Sequence, residues 1–264
     1  MSTTHVHEEA VSRWLDLLHD IADRADAIAL AHFRSSRLRV DDKHDGSPVS
    51  EADRAIEAMA RDLIATRAPG MGVLGEEEGD SASQNGARLI IDPIDGTRNF
   101  VRGVPIFATL AAVEENGMVT AGVVSAPALG QRWHAARGRG AYSGERRLHV
   151  SAVAELARAH VFHGDIGGRA EGRTPPGLTA LLRSAQRTRG FGDFYQHVLV
   201  AEGAGDVALD FKMQPWDIAA VKIVVDEAGG RSTSLAGDDT IYGGSLVSTN
   251  GLLHAAATTI LTSY

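Results

Sequence analysis

The chain has 264 residues, 44% hydrophobic and 23% charged. It is long enough to bury a full core in one large domain or two modest lobes, and too apolar for a disordered chain. It has no cysteine and a net charge of −8, which excludes disulfide scaffolds, Cys-based zinc sites and thiol catalysis and argues against a general nucleic-acid binder. Cysteine-free usage fits a reducing, cytoplasmic compartment. No apolar run approaches the ~20 residues of a membrane span, and residues 1–9 have neither the basic nor the apolar part of a secretory signal.

In chain order, Ala10, Trp14, Leu17, Leu18, Ile21, Ala25, Ile28 and Ala29 recur at steps of three and four, which predicts a long first helix. A polar loop over residues 41–48 follows, and a second helix starts at Ser50. Ser50 and Asp53 there have capping-box spacing, and Ala52, Ile56, Met59, Leu63 and Ile64 give the buried face. The middle reads as antiparallel strands over residues 88–92, 106–114, 118–125, 131–136 and 141–142, with Asn116-Gly117 as a hairpin signal. Beyond residues 151–157 the pattern alternates. Strands are expected at 159–163, 188–191, 207–209 and 245–249, and helices at 178–185, 193–201, 218–228 and 252–261. Residues 164–177, rich in Gly, Arg and Pro, read as an exposed loop. The division expected is a single unit over residues 1–264, with an α+β lobe (1–152) and an α/β lobe (153–264).

Three acidic clusters stand out: Glu76-Glu77-Glu78, Asp92 with Asp95, and Trp216-Asp217. A Glu run is usually a solvated face, and a lone Asp opening an apolar helix is usually a cap. The middle cluster is harder to dismiss. Asp92 ends the apolar strand Leu89-Ile90-Ile91, Pro93 stiffens the chain, and a tight turn aims Asp92 and Asp95 at one point with the Ile94 carbonyl between them. Hard divalent ions such as Mg2+ take this all-oxygen set. Two carboxylates from a turn, one from a loop and one from a helix start would seat two ions ~3.5–4 Å apart, the clamp used on phosphoryl groups. Gly96 and Thr97 open a helix whose amides would meet a phosphate.

Gly75-Glu76-Glu77, the run from Asp92 to Phe100 and Trp216-Asp217-Ile218-Ala219-Ala220 resemble the inositol monophosphatase superfamily. So do Lys43-x-Asp45-Gly46-Ser47-Pro48 with Asp53, and Val225-Asp226-Glu227-Ala228-Gly229-Gly230. The motifs keep their order from Lys43 to about Asn250. The resemblance implies a layered αβαβα sandwich, α+β or α/β in class, of the inositol monophosphatase and fructose bisphosphatase type. It implies a Mg2+-dependent phosphatase with two or three ions, Mn2+ being a substitute. Glu76 would bind metal and help activate water, Asp92 would bridge two ions, the Ile94 carbonyl would serve the first, and Asp95 and Asp217 would hold the second. Thr97 would polarise the attacking water with Glu76, and Asp53 would orient the water network. Lys43 would lie on a mobile loop near a third metal position, or simply on the surface. No Cys nucleophile, Gly-x-Ser-x-Gly elbow or Walker loop competes with metal-assisted attack.

Residues 99–110, Gly122 to Ala128 with Arg132-Trp133, and Gly190 to Phe194 resemble the histidinol-phosphatase branch. Inositol phosphate has a neutral ring, whereas histidinol phosphate carries an ammonium and an imidazole, so its pocket should hold carboxylates. The substrate contacts implied are Asp95, Gly96 and Thr97 at the phosphate and Asp193 and Asp210 at the cationic end. Asp210 stands where the family usually has Glu, and Arg98 where this branch commonly has Lys. Arg189 either contacts phosphate, balances Asp193 or lies on the surface. Asn250 either hydrogen-bonds the imidazole or forms a turn. The runner-up substrates are inositol 1-phosphate or a broad range of sugar phosphates. A non-catalytic scaffold of the same fold is the remote reading. His5, His7, His160 and His163 read as structural or solvent-facing. The partner expected is a small phosphate monoester, without nucleic acid or membrane. A homodimer is expected from the resemblance, with Trp133, Ile106 and Phe107 either at its interface or in the core.

Overall fold

The computed structural model describes residues 3–44, 46–166 and 174–263. Asp45 of the first motif and residues 167–173 of the expected loop lie outside them. Helix α1 (Thr3–His32) buries Trp14, Leu17, Leu18, Ile21, Ala25 and Ala29, the stripe its spacing predicts. A short hairpin, β1 (Val40–Asp42) and β2 (Pro48–Ser50), leads into α2 (Glu51–Arg67). Ser50 and Asp53 form the expected capping box, Ser50 being the cap rather than the first helical residue.

The first sheet contains β3 (Gly72–Gly75), β4 (Gly79–Ser81), β5 (Ala87–Asp95), β6 (Ala108–Glu115), β7 (Met118–Ala126), β8 (Gln131–Ala136), β9 (Gly140–Ser143) and β10 (Arg146–Arg147). Helix α3 (Thr97–Val101) lies between β5 and β6. The strand order is β10-β9-β8-β7-β6-β5-β3-β4, antiparallel except for the parallel pair β3–β5. Asn116 (φ 52°) and Gly117 (φ 82°) both take the left-handed region that a tight β6–β7 hairpin requires.

The second sheet contains β11 (His160–His163), β12 (Arg187–Gly190), β13 (Val207–Asp210), β14 (Arg231–Thr233) and β15 (Leu246–Thr249), ordered β12-β11-β13-β15-β14. Its helices are α4 (Leu178–Ser184), α5 (Asp193–Ala201), α6 (Pro215–Glu227) and α7 (His254–Thr262). Period-two alternation along the strands divides the interior into three cores. Leu89 and Ile91 face α1 and α2; Ile90 and Leu110 face α5 and α6; Val161, Val207 and Leu209 face α4 and α7. The layers therefore run αβαβα, as the resemblance implied. A Cβ on Gly122 would fall 2.6 Å from the Ile223 side chain and 3.1 Å from the Ala220 Cα, so β7 and α6 touch backbone to backbone there.

Trp133 and Phe107, 0% and 1% exposed, belong to the core, and the Trp133 ring N–H donates to Glu202 at 2.8 Å. An interface role for these two is corrected on that ground. The strand expected to stop at Asp92 runs on to Asp95, with its register against β6 slipping between the two. Strands β1 to β4, β10 and β14 were not anticipated. Each has two to four residues, too few to show a period.

Candidate active site

Buried Leu89-Ile90-Ile91 drives β5 into the middle of the first sheet, and the strand emerges as Asp92-Pro93-Ile94-Asp95. The slip against β6 brings both carboxylates to one place. Gly96 then takes φ 83°, and a Cβ there would sit 3.0 Å from the Ile106 carbonyl, so glycine is required twice over. Asp217 enters from the second lobe at the third position of α6. One of its oxygens accepts from the Gln214 amide at 2.7 Å, closing a capping box. The capping-box partner and the site residue thus coincide. Half-buried Trp216 packs on the central core beside it.

Asp92, Asp95 and Asp217 each offer an oxygen within 4.8 Å of the others. Asp92 and Asp95 are 2% and 7% exposed. Burial, reinforced by the charges of Glu76, Asp95 and Asp217, pushes the Asp92 carboxyl well up. Burial with Asp193 and Asp217 does the same to Asp95, and burial pushes Asp217 up to about 7. Asp92 Oδ1 is buried with no hydrogen-bond partner among the described residues. An unmet anionic oxygen amid like charges is met by a hard cation. The all-oxygen set therefore fits a divalent metal.

Glu76 follows β3 on the turn into β4. Lys43 bridges it to Glu77 with 2.7 Å contacts to both. Burial works against the Lys43 ammonium, but the two carboxylates outweigh it and raise its pKa. The surface alternative for Lys43 is thereby corrected: it is partly buried and ion-paired. Asp53 is 1% exposed and accepts from the Ser50 amide (2.8 Å) and hydroxyl (2.6 Å). The Thr97 hydroxyl donates to the Ile94 carbonyl at 2.9 Å and lies 3.4 Å from the other Asp53 oxygen. The structure thus brings together Asp53, Thr97 and Ile94, and sets Glu76 in the same electrostatic field.

A cavity of about 410 Å³ opens here, lined by Glu76, Gly96, Thr97 and Arg98 on one side and by Gly164 and Asp193 on the other. Asp193 takes φ 52° at the start of α5 and accepts from the Asn99 amide group at 3.2 Å. The next amide, of Phe194, donates to Asp95 at 2.6 Å. Burial lifts the Asp193 carboxyl to about 6 against the pull of Arg98. Burial, with Asp193 adding, lifts Asp210 to about 7. Asp210 lies behind Gly164, whose added Cβ would fall 2.4 Å from its carboxylate, and it accepts from Gln196 at 3.1 Å.

Two residues that the sequence leaves open between roles fall on the structural side. Asn250 is 3% exposed; its amide group donates to Ser151 (2.9 Å) and the Val153 carbonyl (2.8 Å), and its oxygen accepts from the Leu253 amide. It is the turn residue, with no group left for an imidazole. Arg189 lies exposed on edge strand β12 and donates to the neighbouring Thr188 carbonyl. The cation that acts on Asp193 is Arg98. Asn99, Gln196 and Glu57 were given no role from sequence. For Glu57 a signal was present: a carboxylate one helical turn after Asp53, next to Ile56 of the apolar stripe.

A cavity that concentrates this much carboxylate and offers an oxygen cage belongs to a cation-dependent enzyme acting on an anion. Residues 10–263 match the inositol monophosphatase family model, and the chain belongs to that family of metal-dependent phosphoric monoester hydrolases. It is similar to a histidinol-phosphatase of Mycobacterium tuberculosis, 50% identical and covering 89% of this chain and 92% of that protein. A histidinol-phosphatase of Streptomyces coelicolor is 42% identical over 91% of this chain and 93% of its own length. Among solved structures, the extragenic suppressor protein suhB of Bartonella henselae superposes with a TM-score of 0.88 at 28% identity, covering 94% of this chain and 98% of that one.

Proposed function

We propose that the protein hydrolyses L-histidinol phosphate to L-histidinol and phosphate, a step of histidine biosynthesis. The observation that carries this reading is the second acidic pair: Asp193 lines the cavity and Asp210 lies behind its wall at Gly164, both in the electrostatic reach of Asp95. Either acid can accept from a polyol hydroxyl, but two together gain charge assistance only from an ammonium or imidazolium. The similarity to two histidinol-phosphatases supports it.

Glu76, Asp92, the Ile94 carbonyl, Asp95 and Asp217 are the groups that would hold two or three Mg2+ ions, or Mn2+ in their place. Bound Mg2+ supplies neutralisation of the phosphoryl charge and a more acidic water. The chain's own groups do the rest. Thr97 and Glu76 orient the attacking water. With the Ile94 carbonyl given over to an ion, the Thr97 hydroxyl would donate instead to Asp53, which its Ser50 bonds fix, and so turn a lone pair toward the water. Gly96 and Thr97 present amides to the phosphate, Asp193 and Asp210 hold the cationic end, and Lys43 is the counter-cation of Glu76. Residues 1–152 supply most of the metal acids and residues 153–264 the substrate wall with Asp217, so the two lobes work as one unit. We place the enzyme in the cytoplasm as a homodimer, which light scattering on the purified protein tests.

The test is phosphate release from histidinol phosphate, inositol 1-phosphate and fructose 1,6-bisphosphate, each with Mg2+ and with EDTA. Mg2+-dependent release with strong preference for histidinol phosphate is expected. Equal turnover of all three would reassign the enzyme to a broad sugar-phosphate monophosphatase.

A further inference from the structure

Helix α2 carries two buried carboxylates one turn apart. Asp53 faces Thr97. Glu57 is 0% exposed and does not line the cavity. Its carboxylate accepts from the amides of Glu77 (2.8 Å) and Glu78 (2.9 Å) and from Arg61 Nε (3.1 Å) and Nη2 (2.7 Å). Arg61 Nη2 also donates to the Gly79 carbonyl at 2.7 Å, so the turn between β3 and β4 is held at both ends. Gly75 makes room for this: a Cβ there would fall 2.3 Å from Glu57 Oε1. A carboxylate withdrawn from water is costly unless its lone pairs are met, and here four donors meet them. A short surface turn needs no such anchor, whereas a turn that begins with Glu76 has a side chain to aim. Lys43 pairs with the Glu76 side chain itself and leaves the backbone of the turn unheld, so the anchor of the turn lies elsewhere.

We propose that Glu57 is the positioning residue for Glu76: by clamping the next two amides it sets Glu76 in register with Asp53 on the same helix and with Thr97 beyond it. The inference rests on the proposed role of Glu76 in holding Mg2+. Glu57 touches neither substrate nor ion and acts only through the backbone of the turn.

The experiment is calorimetric titration of the full chain with Mg2+ alone, alongside steady-state kinetics on histidinol phosphate. Glu57→Gln should bind Mg2+ about tenfold more weakly, as loss of a partner behind a ligand does. Its kcat should fall at fixed Mg2+ and recover in part at high Mg2+, with KM for the ester within about twofold. Gly75→Ala displaces Glu57 without removing a donor or a charge, and should show the same Mg2+ defect; it decides the matter if Glu57→Gln does not fold. Arg61→Met keeps both amide bonds, so it should lose thermal stability and hold Mg2+ affinity within about threefold. Wild-type Mg2+ affinity in folded Glu57→Gln or Gly75→Ala overturns the proposal, as does an Arg61→Met defect as large as that of Glu57→Gln. Wild-type protein that binds Mg2+ but leaves histidinol phosphate intact overturns the substrate reading alone, since the titration still scores Glu57. Wild-type protein that takes up no Mg2+ overturns both.

Discussion

Asp92 at the end of β5 and Glu57 on α2 are almost equally withdrawn from solvent, at 2% and 0% exposure. They are furnished in opposite ways. Glu57 has four donors around one carboxylate. Asp92 has an oxygen with none among the described residues, and other acids crowd it. Burial alone therefore does not mark a catalytic acid. What separates the two is that the chain meets the Glu57 carboxylate, whereas at Asp92 an unmet oxygen coincides with a crowd of other acids.

The largest expected effect comes from neutralising the unmet acid. Asp92→Asn should lower kcat by about a thousandfold or more, the scale of losing a principal electrostatic stabiliser, as read by phosphate release. In EDTA the same variant should melt no lower than wild type, because it relieves repulsion, whereas Glu57→Gln should melt lower, because the buried charge that Arg61 and two turn amides meet is lost. A lower melting point for Asp92→Asn than for Glu57→Gln would break the contrast.

Next come the acids of the substrate wall. Asp193→Asn and Asp210→Asn should each reduce kcat/KM for histidinol phosphate about 10- to 100-fold, since a charge-assisted hydrogen bond is worth about 1.5–3 kcal/mol. Turnover of inositol 1-phosphate should be unchanged or improved. Equal losses on both esters would make these acids structural.

The pH dependence of stability sharpens the contrast further. In metal-free protein Asp210 and Asp217 are pushed up to about 7 from an ordinary 3.8. The folded state then binds protons more tightly than the unfolded one, so this contribution is present in acid and is lost as pH rises through 7. His197, held near 3, and His134 and His254, near 4, work the other way: burial, only partial for His134, keeps each neutral, and its contribution is lost as pH falls below 6.5 toward those values. Asp92, Asp95 and Asp193 are raised as well, so five acids stand against three histidines, and in EDTA the melting temperature should rise as pH falls from 8 and go on rising, less steeply, below 6.5. Added Mg2+ should raise it more at pH 8 than at pH 6, where protons compete for the same oxygens. A Mg2+ shift independent of pH would remove the carboxylates from the metal's shell.

The smallest catalytic effect belongs to Asn250→Ala. It should cost about 1–3 kcal/mol of stability, with two donors and an acceptor lost, and leave KM for histidinol phosphate as it was.

Most of the layering was legible because the long elements carry strong periods: α1, α2, β6 with β7, and α5 all lie close to where their apolar residues point. The metal-type acids were legible because Asp92, Asp95 and Asp217 each sit at the junction of an apolar element and a turn. What escaped were interactions without a local period. Strands β3 and β4 exist because they pair with β5 and with each other, and the clamp on Glu76 depends on a residue from another element. Asn250 stays open between two roles because an exposed amide and a turn-locking amide look alike in sequence. They differ only in whether Ser151 and Val153 happen to be folded beside them.

The entry of Asp217 from α6 also bears on how the chain reaches its native state. Asp92 and Asp95 lie more than a hundred residues earlier, so closing this cluster means closing a very long loop, a contact that comes late in folding. During synthesis the first sheet can form with its acids together, yet the cage stays incomplete until the last third of the chain docks. A cation added to the refolding reaction should therefore leave the folding rate nearly unchanged and slow unfolding instead. The site would then act as a latch on the finished molecule, a source of kinetic persistence separate from its chemistry.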